Sequence, residues 1–116
     1  MDRGIIEWDH TDFDEGVGEA RVSSNELIDE ETVTQFRDEL IELAMSGVSD
    51  LELDMSQVHM VSSMAICAVI TIDRKLQERG GRLRLRNVHA FALEVFSYMR
   101  LHELLDIEAI EDAIAA

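Results

Sequence analysis

The residues best placed to carry chemistry are two adjacent hydroxyls, Ser62 and Ser63, which separate two segments of different pattern. Apolar and polar residues alternate over residues 51–56, which predicts a strand. Residues 64–72 are almost entirely apolar and are predicted to be part of a helix. A serine at the start of a helix is a good N-cap, so at least one of the two is expected to cap the helix. The same position also favours a bound or covalent phosphate, because unpaired N–H groups and the helix dipole point at it.

Asp54 is the second candidate, because it ends the strand immediately before the loop that leads to the serines. Its carboxylate could supply negative charge or hydrogen bonding to a binding partner. It could equally fix the loop by accepting hydrogen bonds from nearby backbone N–H groups. The sequence leaves both roles open.

Met64 and Ile66 are further candidates for partner binding, since they begin the apolar stretch in which only Thr71 is polar. A helix that is apolar on every side must be covered on more than one side. One side would meet the sheet. We favour neighbouring helices as the cover for the rest, with a protein partner as the alternative. Cys67, inside this stretch, is expected to be a buried and inert thiol.

The elements that must position these residues alternate along the chain. Strands are predicted at residues 4–9 and 19–24, which would pair as a hairpin, and at residues 50–56 and 82–86, with a short strand or turn at 104–107. Helices are predicted at residues 29–47, 62–81 and 89–100, with a short terminal helix at 107–116. In the third helix, Phe91, Val95 and Met99 fall in register.

This order predicts an α/β fold with a mixed sheet of four to five strands and about four helices. No linker or repeat interrupts it, so residues 1–116 are expected to form a single domain. The side chains expected to be buried are Val33, Phe36, Leu40, Leu53, Ile66, Leu83, Leu85 and Val95.

Composition limits the function. The net charge of −15 argues against binding to nucleic acid or to an anionic membrane. No signal peptide or apolar run of spanning length is visible, so a cytoplasmic protein is expected. Seven of the ten basic residues lie between Arg74 and Arg100, whereas acids are dense from Asp2 to Asp54. We interpret this asymmetry as two solvated faces, the alternative being a bipolar surface that orients a partner.

Catalytic and metal-binding patterns find little support. G-x-S-x-G, Walker A and G-x-G-x-x-G motifs are absent, and the four histidines and Cys67 have no metal-ligand spacing. The acids of residues 9–16 lack EF-hand spacing and are interpreted as a solvated turn. A phosphoreceiver domain is disfavoured because the only lysine, Lys75, lies in the second helix. We therefore expect neither an enzyme nor a cofactor.

Four segments resemble the STAS domains of bacterial anti-sigma-factor antagonists: "NELIDEETVTQFRDEL", "LELDMSQVHMVSSMAI", "RKLQERGGRLRLRNV" and "EVFSYMRLHELLDI". Together they cover roughly residues 25–107. The resemblance implies a non-catalytic domain that binds an anti-sigma-factor kinase in a partner switch and is reset by a phosphatase. By position, Asp54 matches the strand-ending aspartate of the family and Ser63 matches its phosphorylated serine.

The sequence departs from the family at this motif. Ser62 replaces the loop aspartate, Met64 the second hydroxyl residue and Ala65 the glycine. Ser62 is consequently a rival phosphoacceptor to Ser63. The same departures favour an alternative function, an unphosphorylated STAS scaffold or accessory module of a larger complex, for example a transport complex. The partner, the upstream signal and the oligomeric state are left open by the sequence.

Overall fold

The computed structural model describes residues 4–8, 17–100 and 104–110. Within these ranges the elements are β1 (Ile6–Trp8), β2 (Val17–Val22), β3 (Glu26–Leu27), α1 (Glu30–Met45), β4 (Asp50–Asp54), β5 (Met60–Val61), α2 (Ser63–Gln77), β6 (Leu83–Val88), α3 (Ala90–Tyr98) and β7 (Asp106–Ala109).

Five of the strands form one mixed sheet in the order β1-β2-β4-β6-β7. β1 pairs antiparallel with β2, and the remaining neighbours are parallel, as the alternation of strands and helices requires. The predicted α/β fold with a mixed sheet is therefore confirmed. A second, two-stranded parallel sheet joins β3 to β5. The sequence did not predict it, because strands of two residues are too short to show alternation.

The central strands direct alternate side chains to opposite faces of the large sheet. Leu51, Leu53, Leu83 and Leu85 are buried on the face that the helices cover. The opposite face carries charged residues that form ion pairs between neighbouring strands: Arg21 with Glu7 at 2.5 Å, Arg86 with Glu52 at 3.0 Å and Arg84 with Asp106 at 3.2 Å.

The helices complete the core largely as expected. Val33, Phe36 and Leu40 of α1 are buried, and so is Ile66 of α2. The expected register of α3 was wrong. Ala92 and Phe96 are its buried residues, while Val95 is only partly buried and Phe91 and Met99 are exposed. Residues 91–96 are apolar except Glu94, so periodicity allowed more than one inward face and tertiary packing selected one.

The predicted terminal helix at residues 107–116 was wrong at its start, because Asp106–Ala109 is β7. Its residues Asp106 and Ile107 pair with Arg84 and Leu85 of β6. The hydrogen bonds offered by the edge of β6 outweigh the local helical pattern there. Residues 111–116 lie outside the described part of the chain, as does the predicted turn at 9–16.

A buried carboxylate fixes the connection between α2 and β6. Asp73 is 3% exposed and accepts hydrogen bonds from Arg82 Nε at 3.1 Å, Leu83 N at 3.0 Å and Gln77 Nε2 at 2.8 Å. It is therefore fully paired, as a buried charge must be. Among the described residues, no helix has the length and apolar character needed to cross a membrane.

Candidate functional site

The two serines lie at the N-terminus of α2, where the structure separates their roles. Ser62 is the N-cap, with extended backbone, and its hydroxyl oxygen accepts a hydrogen bond from Ala65 N at 3.3 Å. Its own backbone N–H donates to Leu27 O of β3 at 2.9 Å. Ser62 therefore joins the helix start to the small sheet, and its hydroxyl serves the fold.

Ser63 is the first residue of α2 and is exposed. This is the position that the change of pattern at the serine pair predicts. Its hydroxyl has no hydrogen-bond partner in the part of the chain that the structure describes. Ser63 is thus the serine whose hydroxyl is available for chemistry, next to N–H groups that suit an added anion.

Asp54 ends β4 and holds the loop that follows it. Its Oδ1 accepts hydrogen bonds from Ser56 N at 2.9 Å and Asn87 Nδ2 at 3.1 Å. Partial burial alone would raise the pKa of the Asp54 carboxyl. The hydrogen bonds from Ser56 and Asn87, with the positive charge of Arg21, outweigh that effect and hold its pKa below the ordinary value. The loop-fixing role is therefore present in the structure, and neither Ser62 nor Ser63 is among the hydrogen-bond partners of Asp54 within the described ranges.

Asn87 is a member of this site that the sequence analysis missed. It has a positive φ of 57° at an irregularity in the pairing of β6 with β7. Asparagine tolerates this left-handed conformation better than most residues. The irregularity lies beside the Asp54 carboxylate, to which Asn87 donates. The available signal was the end of the strict alternation in "RLRLR" at Asn87.

Two histidines brace the same loop. The rings of His59 and His89 stack with centroids 4.3 Å apart, and His59 N donates to Asn25 O at 2.8 Å. His89 Nε2 lies within hydrogen-bond reach of Ser56 O. Since a carbonyl oxygen only accepts, this contact requires a proton on Nε2. The segment between Asp54 and Ser62 is thus held by contacts at Ser56 and at His59.

Exposed apolar side chains surround the serine pair. We call Ile28, Met60 and Met64 the apolar rim; Met64 is 54% exposed and the other two are exposed to a similar degree. Ile28 follows β3, Met60 is in β5 and Met64 is in the first turn of α2. Their positions make a surface with both an exposed hydroxyl and apolar contacts.

Two other expectations about α2 need correction. Ile66 is fully buried, so it packs in the core and cannot form part of an exposed binding surface. Cys67 is exposed and not buried as expected. The reason is that α1 and the sheet cover only part of α2, which leaves a strip along Met64, Cys67 and Thr71 exposed. Most of the apolar stretch is therefore covered by α1 and the sheet, as favoured, and one strip remains exposed, where a protein partner could bind.

The described residues offer no cluster of metal ligands at this site. In residues 4–8, 17–100 and 104–110, no group of three or more His, Cys, Asp or Glu side chains is arranged to hold a metal ion. What the arrangement offers is a loop held by hydrogen bonds, an exposed hydroxyl at a helix N-terminus and an apolar rim.

Comparison with known proteins shows which family the sequence matches. The sequence model of a family described as "Mlab, STAS domain" matches residues 12–106. A search of curated proteins finds no match.

Several solved structures share the fold. An anti-sigma factor antagonist from Mycobacterium paratuberculosis is 19% identical, with a TM-score of 0.72 over 95% of this chain and 92% of the other. The anti-sigma factor antagonist SpoIIAA in its unphosphorylated form, a Bacillus cell fate determinant, is 19% identical, with a TM-score of 0.71 over 94% and 92%. The murine anion transporter Slc26a9 is 24% identical with a TM-score of 0.64, covering 86% of this chain but 17% of the transporter.

Proposed function

The chain belongs to the STAS domain family, and we propose that it is a non-catalytic regulatory domain whose binding to a protein partner is controlled by phosphorylation of Ser63. The partner would be an anti-sigma-factor kinase, with a phosphatase that resets the switch. The binding surface would comprise Asp54, Ser62, Ser63 and the apolar rim. We further propose that residues 1–116 form one domain and that this domain acts in the cytoplasm.

The observation that carries the proposal is that the two serine hydroxyls have different environments. The Ser62 hydroxyl caps α2 by accepting from Ala65 N, whereas the Ser63 hydroxyl is exposed and has no hydrogen-bond partner among the described residues. A kinase needs a hydroxyl of this kind. The fold of the antagonist SpoIIAA, known in unphosphorylated and phosphorylated forms, supports the proposal by analogy.

The charge added by phosphorylation would act on binding and not on the fold. A phosphoserine carries roughly −1.5 to −2 charges at neutral pH. The N-terminus of α2 has no acidic residue in its first turn, so it would accept that charge favourably. A docked partner would have to desolvate the same charge beside Met64 and the rest of the apolar rim, which is costly. Phosphorylation should therefore release the partner and leave the domain folded.

A second function has its own support. An unphosphorylated STAS scaffold within a larger complex, such as a transport complex, fits the replacement of the family's loop aspartate by Ser62. The structural similarity to one part of the anion transporter Slc26a9 points the same way. In this case the apolar rim would be a permanent contact and Ser63 would stay unmodified.

Affinity purification of the tagged protein from its native cells tests the two functions together. The wild-type protein should carry phosphate on Ser63 in peptide mass spectrometry. An ATPase of the histidine-kinase type should co-purify with the Ser63→Ala variant and should be absent from the Ser63→Asp purification. Phosphate only on Ser62 would overturn the residue assignment. Absence of phosphate together with a co-purified membrane transport complex would establish the scaffold.

Ser97→Asp is the matched control for Ser63→Asp. Ser97 is an exposed serine on α3, and its hydroxyl has no hydrogen-bond partner in the described ranges. The added charge is therefore the same and lies outside the proposed surface. Ser97→Asp should leave partner binding unchanged. Equal loss of binding in both variants would mean that net charge, and not the position of Ser63, controls the interaction.

A further inference from the structure

The basic residues at the C-terminal end of α2 differ in their ion pairing from those in and next to β6. Arg82, Arg84 and Arg86 each form an ion pair with a carboxylate. Lys75 and Arg79 are exposed and have no carboxylate within ion-pair distance in the described part of the chain. Exposed cations without an ion pair are ordinary at a protein surface, so it is the shared position of Lys75 and Arg79 that can point to a function.

These two cations line a groove between the C-terminal ends of α1 and α2. The cavity has a volume of about 310 Å³ and is lined by Ile41, Ala44, Met45, Lys75, Glu78 and Arg79. Met45 is 74% exposed, and the aliphatic stems of the long side chains add further apolar surface. The groove therefore combines an apolar wall with positive charge.

The positive charge is partly fixed in place. The guanidinium of Arg79 donates to Ala44 O and, at 3.3 Å, to Val48 O, which orders it across the end of α1. Cations also complement the negative ends of helix dipoles, which accounts for basic residues at this end of the domain. Met45 adds an exposed apolar side chain beside these cations. The groove therefore offers both kinds of contact that an amphipathic segment needs.

We propose that this groove docks an acidic, amphipathic segment of a partner protein. An apolar side chain of the segment would pack against Ile41 and Met45, and its carboxylates would face Lys75 and Arg79. Charge complementarity selects this partner chemistry, since an acidic segment would be repelled by most of this chain's surface and attracted here. Glu78 adds one negative charge at the groove and would bias the orientation of the segment.

The groove is distinct from the surface at Ser63. Lys75 follows Ser63 by twelve residues in α2, which is about 18 Å along the helix axis. A partner at Ser63 and an acidic segment in the groove would therefore occupy opposite ends of the same helix. The groove requires no phosphorylation, so the inference stands independently of the proposed function.

An NMR titration of the ¹⁵N-labelled protein tests the inference with three synthetic 18-residue peptides. The first carries leucine on one helical face and glutamate on the other, the second has lysine for glutamate, and the third has serine for leucine. Only the first should shift Ile41, Met45 and Lys75, whereas the lysine peptide should be attracted to the acidic remainder of the surface and shift residues there. Equal shifts of the groove residues by the lysine peptide, shifts by the first peptide centred elsewhere, or no binding by the first peptide would overturn the inference.

Charge reversal locates the site within the protein. Lys75→Glu should weaken binding of the first peptide at least about threefold, since it turns an attraction into a repulsion at an exposed site. Met45→Ser should also weaken binding, through loss of apolar contact. Arg100→Glu changes the net charge equally at an exposed residue outside the groove and should have little effect. Equal weakening by Lys75→Glu and Arg100→Glu would refute the groove as the binding site.

Discussion

The clearest test of the site separates the two serines by stability. Ser62→Ala removes the oxygen that accepts from Ala65 N. Loss of an N-cap costs about 0.5–2 kcal/mol, and the distance of 3.3 Å is at the long end for such a bond, which places the expected cost at about 0.5–1 kcal/mol. Ser63→Ala removes a hydroxyl with no partner among the described residues and introduces a stronger helix former, so the expected change lies within about 0.5 kcal/mol of zero.

Equilibrium unfolding in urea measures both variants. The midpoint of Ser62→Ala should fall while the slope stays constant, which reports a change of stability alone. Ser62→Asp should recover the loss, because aspartate is an equally good cap. Ser63→Asp should leave stability unchanged or slightly higher, since a carboxylate in the first turn favours the helix dipole.

A loss from Ser63→Ala that equals or exceeds the loss from Ser62→Ala would refute the reasoning. It would mean that the Ser63 hydroxyl caps α2 in solution. Ser62 would then be the free serine, and the proposed phosphoacceptor would move by one residue. The comparison therefore tests the assignment without knowledge of the kinase.

Four further predictions concern the core, the loop at Asp54, which has two, and a tight connection. Leu53→Ala or Leu85→Ala should cost about 2–5 kcal/mol in chemical denaturation, because both are buried in the sheet, and a loss well below 1 kcal/mol at both sites would contradict the strand faces. Asp54→Asn should weaken partner binding with little change in melting temperature; a large fall in melting temperature with unchanged binding by the folded fraction would leave Asp54 only its loop-fixing role. Because the folded pKa of Asp54 is lowered, its charge-dependent stabilisation is present above the unfolded value of about 4 and is lost as the pH falls through the folded pKa; the small stability difference between wild type and Asp54→Asn at neutral pH should therefore shrink on acidification in urea unfolding. Gly81→Ala should destabilise the fold strongly in thermal unfolding, because a Cβ there would lie 1.7 Å from Ser49 O, and an unchanged melting temperature would contradict this close approach.

The sequence by itself determined the features that depend on local pattern. Alternation identified the buried faces of the central strands through Leu53 and Leu85, and the change of period located the start of α2 within one residue. Both signals are strong because half-buried strands and helices impose fixed spacings on apolar residues. The order of segments from Asn25 to Ile107 also sufficed to identify the family.

Only the tertiary structure decided the features that depend on contacts distant in sequence. The inward face of α3 was set by packing among several apolar choices, and β7 was set by hydrogen bonds offered by β6. The exposure of Cys67 depends on how far α1 covers α2, and the Asp54–Asn87 hydrogen bond joins residues 33 positions apart. Local pattern shows that a segment has an apolar side or a polar group, but the partner that covers or pairs with it is fixed by the arrangement of the whole chain.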